Sequence, residues 1–365
     1  MRRLQPLGSP VPEIDAKRLL KQYDPKKIVI AAACSHSSLQ IFHGARLEGF
    51  KTLGICVGKP PRHYDAFPRA KPDKFLELKA YKDLVKLGPE LVEDNVVIVP
   101  HGSLVEYLGV NEFEKIPALT FGNRKVLRWE SDRGIEREWL ESAGLPIPLH
   151  IDDPSEIRQP VIVKYHGAKG GKGFFIARNR KEFDQQVDRS RPYTIQEFVL
   201  GTRYYLHYFY SPITDDGFRL KKGSLQLLSI DRRDESNIDE ANRLGSVAEL
   251  AQIGIQPTFV VTGNIPMVIR ESLLPQVFEM GQRVVERSIE LFGGMIGPFC
   301  LETVVTDQLQ FRVFEISARI VAGTNPYVSG SPYADFIATG LSTGRRIAQE
   351  IKTARTKRRL LDVLS

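Results

Sequence analysis

The order of apolar and polar positions predicts alternating strands and helices in the N-terminal part of the chain. KKIVIAAAC (27–34) and KTLGICVG (51–58) are short apolar runs typical of buried strands. Between them, SLQIFHGARLEG (38–49) has the spacing of a helix and ends at a glycine, a common helix stop. The pattern predicts a βαβ unit, and with it a sheet of parallel strands.

Polar residues follow the predicted strands at their carboxyl ends. NVVIVPHGS (95–103) is a further strand that stops in a Pro-His-Gly-Ser turn. In parallel α/β sheets, ligands bind at the edge where the strands end. We therefore expect a ligand at this edge of the N-terminal sheet.

The second half of the chain mixes helices and strands. DRGIEREWLESAG (132–144) has a helical pattern, and the proline-rich LPIPLHIDDP (145–154) is predicted to be a linker. A long helix is predicted at QVFEMGQRVVERSIELFG (276–293). The predicted strands are PVIVK (160–164), GFFIA (173–177), YTIQEFV (193–199), TRYYLHYFYSP (202–212), GPFCLETVVT (297–306) and QFRVFEISA (310–318). The fold class is therefore α/β, with an α+β arrangement in the C-terminal part.

Composition narrows the class of protein. A chain of 365 residues suggests two or three domains, and 42% hydrophobic with 26% charged residues is ordinary for a globular protein. No apolar run reaches the roughly 18 residues of a membrane span, and the N-terminus lacks an apolar signal core. We expect a cytoplasmic protein that does not bind membranes. The three cysteines have no metal-like spacing and are expected to be reduced thiols.

The net charge of +7 indicates anionic partners. Much of the excess lies in KTARTKRR (352–359), where it could simply solvate a helix end. Basic and aromatic residues do not interleave as they do in known nucleic-acid modules, so small anionic molecules are favoured over nucleic acid.

The stretch KYHGAKGGKGFF (164–175) is a candidate phosphate-binding loop. Its glycines would let backbone N–H groups approach an anion closely, and Lys164, Lys169 and Lys172 add positive charge, which suits a triphosphate. It is not a Walker motif, because FFIA predicts a strand where that motif would open a helix. From the loop alone, an ordinary hairpin with a basic tip is an equally good interpretation.

Two glutamates are candidate metal ligands. Glu302 and Glu315 each lie in a strand-like run, and the turn VVTDQLQ (304–310) between them could make the two strands antiparallel neighbours. Two carboxylates on adjacent strands can chelate Mg²⁺ that neutralises phosphate charge. A single strand glutamate is more often solvated, but this pair, on apolar strands and followed by Arg319 and Asn325, favours a functional site.

Several longer strings resemble one protein family. They are SHSSLQIFHGARLEGF, VPHGS, FGNRKVLRWESDR, GNIPMVIRESLLPQVFEMG, GMIGPFC and FEISARIVAGTN. Together with the strand lysine before a glycine-rich hairpin, the QEFV segment and the late carboxylates, they resemble the ATP-grasp superfamily. Within it, the chain is most similar to the archaeal-type, formate-dependent 5-formaminoimidazole-4-carboxamide ribonucleotide (FAICAR) synthetases, from about residue 27 to about residue 352.

This resemblance implies a fold and a reaction. The implied fold is an ATP-grasp fold, with a parallel-sheet pre-ATP-grasp domain at residues 1–124, a lid subdomain with the glycine-rich loop and adenine hinge at 125–210, and a metal-binding subdomain at 211–365. The implied reaction converts formate and ATP to formyl phosphate, which the 5-amino group of the aminoimidazole carboxamide ribonucleotide (AICAR) attacks. No nucleophilic serine or cysteine is needed, because phosphoryl transfer depends mostly on positioning and charge.

The resemblance also implies the site residues. The ribonucleotide would be bound by His36, Ser103 and, at its base, Asn264. ATP would be bound by Lys164, Gly167, Gly170, Gly171, Gly173, Gln196, Glu197, Phe198, Val199 and Glu235. Glu302 and Glu315 would hold Mg²⁺, with Mn²⁺ as a substitute, and Arg319 would stabilise the transferring phosphoryl group.

Some of these positions have a plainer interpretation. A histidine at a strand end can simply satisfy backbone groups, and this structural role is predicted for His101. For His36 the flanking SHSS can supply hydroxyl and N–H donors, which favours a ligand contact. Cys34 and Cys300 are predicted to pack in the core. The aromatic strand that holds Tyr204, Tyr205, His207, Tyr208 and Tyr210 is predicted to be core and pocket wall.

Three functions follow as hypotheses. The first is the formate-dependent ligase, with formate, AICAR and ATP as its partners, no nucleic acid and no membrane, and a homo-oligomeric assembly. The second is an ATP-grasp paralogue with another carboxylate or amine substrate, or with nucleotide binding alone. The third is a basic nucleic-acid-binding protein, which a steep salt dependence of binding would distinguish from the other two.

Overall fold

The computed structural model describes residues 14–165, 173–245, 252–253, 258–321 and 332–365. Its strands are β1 Val29–Ala33, β2 Lys51–Val57, β3 Lys74–Leu78, β4 Val96–Ile98, β5 Leu119–Thr120, β6 His150–Ile151, β7 Val161–Tyr165, β8 Phe174–Ala177, β9 Tyr193–Glu197, β10 Thr202–Ser211, β11 Phe218–Arg219, β12 Ser224–Asn237, β13 Phe259–Pro266, β14 Gly297–Val305 and β15 Phe311–Ser317. Its α-helices are α1 Ala16–Leu20, α2 Ser38–Leu47, α3 Gly88–Glu93, α4 Gly102–Leu108, α5 Val110–Glu114, α6 Val126–Ser131, α7 Arg133–Ser142, α8 Arg180–Gln186, α9 Ile238–Leu244, α10 Leu274–Phe292, α11 Pro332–Asp335 and α12 Thr343–Thr356. Short 3₁₀ helices lie at Arg62–Ala66, Tyr81–Lys86, Pro154–Glu156, Glu271–Leu273 and Leu360–Asp362.

The N-terminal sheet is parallel, as the βαβ pattern predicts. Its strand order is β3-β2-β1-β4-β5, and every pair is parallel. The central strand β1 is fully buried at Ala31, Ala32 and Ala33, because its small side chains let flanking elements pack closely. The carboxyl ends of β1 and β4 therefore lie side by side and bring the segments after them together.

A four-stranded antiparallel sheet, in the order β6-β9-β7-β8, has its own small apolar core. Part of the predicted linker is a strand here, since His150 and Ile151 pair with β9. The prediction of a linker throughout 145–154 is therefore wrong at these two residues. The prolines that open LPIPLHIDDP end at 148, before the pair, so the backbone N–H groups of the edge strand stay available.

The largest sheet is antiparallel and lies in the C-terminal part of the chain. Its order is β11-β12-β10-β14-β15, with β13 added on β12. The hydrophobic pattern does not reveal β12 or β13, because β12 changes from a buried apolar half to a charged half after Ile230. The division of the chain at residues 124 and 210 stays a prediction, although β10 pairs with the C-terminal strands β12 and β14.

Helix α12 packs directly on helix α2 and so joins the C-terminal end of the chain to the N-terminal sheet. A β-carbon built on Gly44 would lie 2.2 Å from the backbone nitrogen of Arg345, and one on Gly344 would lie 2.5 Å from the carbonyl oxygen of Gln40. The two helix backbones meet through these glycines. Ser365 also pairs with Thr120 on the edge of the parallel sheet, through backbone hydrogen bonds of 2.8 and 2.9 Å.

In the part of the chain that the structure describes, no helix combines the length and the apolar composition that a membrane crossing requires.

We predict that Gly44→Ala destabilises the protein. Alanine has the better helix propensity, so without a clash the variant would be more stable by up to about 1 kcal/mol. The backbone of Arg345 cannot move aside as a side chain can, and we expect a net loss of roughly 1–3 kcal/mol. Thermal unfolding checks the sign, with Leu47→Ala at an exposed position of the same helix as the control. A raised melting temperature for Gly44→Ala would contradict the close packing of α2 and α12.

Candidate active site

The two candidate metal ligands lie directly opposite each other on neighbouring strands. β14 and β15 are antiparallel, as the turn between them predicts, and Glu302 is paired in register with Glu315. An irregularity in the register follows Glu302 immediately. Each carboxylate contacts an arginine: Arg233 Nη2 lies 3.2 Å from Glu302 Oε1, and Arg133 Nη1 lies 3.0 Å from Glu315 Oε2.

The carboxylates of this region repel one another in a buried setting. Burial raises the pKa of Glu302, and the neighbouring Glu315 raises it further against the opposing effect of Arg233. Glu136 on α7 accepts a hydrogen bond from the backbone of Ile316, and burial followed by the charge of Glu315 raises its pKa to about 8. A cation between the two strand glutamates would relieve this repulsion.

The donor set fits a hard divalent cation. Glu302 and Glu315 offer carboxylate oxygens from facing positions, which are the ligands that Mg²⁺ prefers. Within the described ranges, no group of three or more histidine, cysteine, aspartate or glutamate side chains is arranged to hold a metal. A metal here would complete its coordination with water and phosphate oxygens, as Mg²⁺ commonly does.

Arg319 follows β15 and is held by a glutamate of α6. Its Nη2 donates to Glu130 Oε1 at 2.8 Å, while the other oxygen of Glu130 accepts the backbone N–H of Ala318 at 2.8 Å. Burial raises the pKa of Glu130, and the charge of Arg319 opposes that shift. The Nε of Arg319 is buried with no hydrogen-bond partner among the described residues.

The residues at the carboxyl ends of β1 and β4 gather beside Arg319. A β-carbon built on Gly102 would lie 3.2 Å from His36 Nε2 and 3.5 Å from Arg319 Cζ, so the glycine leaves these two side chains room to approach. Ser103 accepts a hydrogen bond of 2.8 Å from the hydroxyl of Ser35. The structure therefore brings together three predicted site residues that are far apart in the sequence: His36, Ser103 and Arg319.

The two histidines of this region are both neutral at pH 7. Burial, aided by the charge of Arg319, lowers the pKa of His36 to about 4, and burial lowers the pKa of His101 to about 3. His101 is fully buried, and its Nε2 donates to the carbonyl of Ala33 at 3.0 Å, the structural role predicted for it. The Nδ1 of His36 lies 3.0 Å from the hydroxyl of Ser37 on its own segment, and its ring packs against that of His101 with centroids 5.1 Å apart.

Lys164, Gln196 and Glu197, three of the candidate ATP residues, lie on the smaller antiparallel sheet, and Lys164 reaches toward the carboxylate pair. Lys164 on β7 has its Nζ 5.8 Å from the ring centroid of Phe314, next to Glu315. Burial lowers the pKa of Lys164, and the charge of Glu315 acts in the opposite direction. Gly173 has a φ of 78°, which favours glycine. The remaining loop positions Gly167, Gly170 and Gly171, with Lys169 and Lys172, lie outside the described residues, as does Asn325.

The predicted adenine hinge is the end of β9 and the residues after it. Gln196 pairs with Ile162 and His150 inside the sheet. The N–H groups of Glu197 and Phe198 are used by the carbonyls of Leu149 and Pro160, at 2.7 and 3.0 Å. Val199 follows β9 as a half-buried residue. Backbone N–H groups of Glu197 and Phe198 are thus committed to the protein itself.

Glu235 and Asn264 lie on the neighbouring strands β12 and β13 of the large sheet. Glu235 on β12 is 3.9 Å from Arg203, and burial raises the pKa of its carboxyl. Asn264 on β13 is the register partner of Arg233, the arginine that binds Glu302. Asn264 is therefore a cross-strand neighbour of the arginine that binds the carboxylate pair.

Several charged residues of this region were missed by sequence reasoning. They are Glu130, Arg133, Glu136, Asp231 and Arg233. Three of them lie within or next to FGNRKVLRWESDR (121–133). This string is one of those that resemble the family, and that resemblance could have identified them. The other two follow the apolar run of β12, where a charged residue in a strand pattern suggests a solvated face instead of a buried site.

The sequence of the chain is similar to known proteins over most of its length. The chain matches a domain of unknown function (DUF1297) over residues 181–365 and a protein of unknown function (DUF1246) over residues 30–151. It is 63% identical over 347 residues to a 5-formaminoimidazole-4-carboxamide-1-(beta)-D-ribofuranosyl 5'-monophosphate synthetase of Methanothrix thermoacetophila, with 95% of this chain and 98% of the relative covered.

The fold of the chain is also similar to solved structures. The IMP biosynthesis protein PurP from Thermococcus kodakaraensis is 30% identical, with a TM-score of 0.70 over 92% of this chain and 100% of that one. An N5-carboxyaminoimidazole synthetase from Staphylococcus aureus, at 14% identity, has a TM-score of 0.57 over 87% of this chain and 77% of its own, and shares the fold. The protein has the ATP-grasp fold and belongs to the 5-formaminoimidazole-4-carboxamide ribonucleotide synthetase family.

Proposed function

We propose that the protein is an ATP-dependent carbon–nitrogen ligase that formylates AICAR to FAICAR in purine (IMP) synthesis. A formate oxygen attacks the γ-phosphoryl group of ATP and gives formyl phosphate and ADP. The 5-amino nitrogen of AICAR then attacks the formyl carbon, the C–O bond to phosphate breaks so that phosphate leaves, and the amine loses a proton. The family to which the chain belongs, with relatives named for this product, supports the assignment.

One observation supports this function most directly. The N-terminal strand ends and the phosphoryl-transfer residues meet at Gly102, where the missing side chain leaves His36 and Arg319 close together. Arg319 in turn follows the strand that holds Glu315. A ribonucleotide bound at His36 would therefore lie beside the region where an anion is phosphorylated, as attack by its amine requires.

The positive charges around the carboxylate pair suit a polyphosphate and formate. Lys164, Arg133 and Arg319 reach this region from three different parts of the chain. The side chain of Arg133 is 66% exposed, so it can turn toward an anion while Glu136 holds it on the protein side. Such preorganised cations stabilise the charge that spreads over a transferring phosphoryl group.

For the metal we propose Mg²⁺ at Glu302 and Glu315, with Mn²⁺ as a substitute. The ion would neutralise charge on the β- and γ-phosphates. Around it, the chain's own residues bind and orient the substrates. We further propose cytoplasmic localisation and a homo-oligomer, without nucleic acid or membrane as partners.

One assay tests the assignment against a paralogue with other substrates. The protein is incubated with ATP, Mg²⁺, formate and AICAR, each omitted in turn, and ADP and the formylated nucleotide are measured. We expect product only when all four are present. ADP release that requires neither formate nor AICAR would favour the paralogue.

We predict that Glu315→Gln lowers the rate of product formation by about a hundredfold or more while the protein stays folded. The amide keeps the size of the side chain but removes a hard anionic ligand. Arg133 keeps its second partner, Glu136, so no buried charge is left alone. Asp307→Asn, in the exposed turn of the same hairpin, is the matched control and should keep full activity. An active Glu315→Gln enzyme would exclude this carboxylate from metal binding.

We also predict that His36→Ala separates the two nucleotide sites. His36 is a neutral hydrogen-bonding group at pH 7, because its pKa is lowered to about 4, so its loss should weaken AICAR binding by roughly ten- to a hundredfold. ATP affinity should stay within about a factor of three, since the candidate ATP residues lie on other elements. Calorimetric titration of each nucleotide into wild type and variant makes the comparison. Equal losses for both nucleotides would show that His36 is misplaced in the ribonucleotide site.

A further inference from the structure

A buried aspartate joins two side chains at the base end of the site. Asp231 lies on β12 and is 0% exposed. Its Oδ1 contacts Nε2 of the buried His207, and its Oδ2 accepts a hydrogen bond of 2.7 Å from Nδ2 of Asn264. Both carboxylate oxygens therefore have a partner, and Asn264 is the half-buried member of the three.

This contact fixes which way round the amide of Asn264 lies. An ionised carboxylate has only acceptor oxygens, so the amide must turn its NH₂ group toward Asp231. The reverse orientation would place two oxygens against each other in a buried position, where an unpaired polar contact is costly. The carbonyl oxygen Oδ1 of Asn264 is the atom left over, and it points away from the aspartate.

His207 keeps the aspartate in place. Opposite a carboxylate the Nε2 atom of the ring must donate, and the ring lies on β10, the strand next to β12. The histidine is buried as well, at 2% exposure. Three strands, β10, β12 and β13, thus fix the direction of a single amide.

We propose that Asp231, held by His207, is a positioning residue that turns the carbonyl oxygen of Asn264 toward the nucleotide, and that this acceptor selects a 4-carboxamide over a 4-carboxylate. The inference rests on the proposed function and deepens it. The NH₂ group of a carboxamide donates to Oδ1, whereas a carboxylate would bring a second acceptor to the same atom. Discrimination of this kind is strong where a site is built around one polar group.

The nearest arginine in register does not offset this preference. Arg233 pairs with Asn264 across β12 and β13. Its guanidinium lies 3.6 Å from the ring centroid of Tyr205 and binds Glu302 at 3.2 Å. Its charge is therefore shared with Glu302, which makes it a weaker counter-charge for a carboxylate on the base, although its Nε is buried without a hydrogen-bond partner among the described residues.

The same contact also places the reacting amine. The carboxamide and the amine of AICAR stand on adjacent carbons of the imidazole ring. A carboxamide held by Asn264 consequently limits where the amine can lie relative to Glu302, which binds the cross-strand neighbour of Asn264, Arg233. The same hydrogen bond to Asn264 would then both select the nucleotide and orient it.

The test compares two ribonucleotides that differ only at this group. AICAR and its 4-carboxylate counterpart are titrated calorimetrically into the wild-type protein near neutral pH. We expect AICAR to bind at least about tenfold more tightly. If AICAR binds but is not preferred, the positioning inference is wrong. If the protein binds ATP but neither ribonucleotide, the proposed function itself fails.

Asp231→Asn gives the sharper comparison, because it removes the charge and keeps the shape. With His207 still donating, the amide introduced by Asp231→Asn would turn its oxygen to the ring and its NH₂ group to Asn264. The amide of Asn264 must then reverse and present a donor to the nucleotide. We expect the preference for the carboxamide to disappear or invert. A purely structural role for Asp231 would weaken both ligands alike and leave their ratio unchanged, which would overturn the proposal.

Asp234→Asn, on the same strand and with the same change of charge, is the matched control and should keep the wild-type ratio. Thermal unfolding shows whether each variant is folded. If Asp231→Asn does not fold, Asn264→Ala replaces it, since β13 is an added strand with exposed positions. That variant should bind both ribonucleotides within about threefold of each other, and a preference retained by it would refute the assignment.

Discussion

The register of the β14–β15 hairpin is the constraint on which the rest of the site depends. It places Glu302 opposite Glu315, and like charges directly opposite each other destabilise an antiparallel pair. Burial of Glu302 adds a further cost, since a buried carboxylate needs compensation. A hairpin built for stability alone would not contain this pair. The surrounding arginines, and a cation when one is bound, make the arrangement tolerable.

The compensating charges come from segments far apart in sequence, which ties the fold to the site. Arg133 begins α7, Arg233 lies on β12 and Arg319 follows β15. The first and last of these arginines are themselves shared with Glu136 and Glu130. Removing one of these arginines would leave a carboxylate without its cation in a partly buried region, so the charges stabilise one another.

The parts of this structure that follow apolar periodicity could be predicted from the sequence. The parallel strands, the long helix and the Glu302–Glu315 hairpin are in this group, because their buried faces are mostly apolar. The charged half of β12 could not, since Asp231 and Arg233 are buried or half-buried through specific partners and not through hydropathy. The same holds for Glu130, whose importance is visible only once Arg319 is beside it. The local pattern of apolar residues predicts helices and strands. The role of a buried charged residue can be assigned only when its partner on another element is known.

In the proposed function, charged groups and uncharged groups of the site recognise different parts of the ligands. At the carboxylate pair, lysine and arginine side chains and opposed glutamates suit ligands with several negative charges and a cation. His36, by contrast, is neutral although Arg319 lies beside it, and Asn264 is an uncharged amide whose direction a buried aspartate fixes. A field of positive charge would attract a carboxylate as readily as a phosphate, so it cannot distinguish a carboxamide from a carboxylate on the base. That distinction requires an uncharged group of fixed orientation, screened from the arginines by their commitment to glutamate. In the proposed function, an uncharged amide of fixed orientation near the charged groups would allow one site to gather several anions and still select one base.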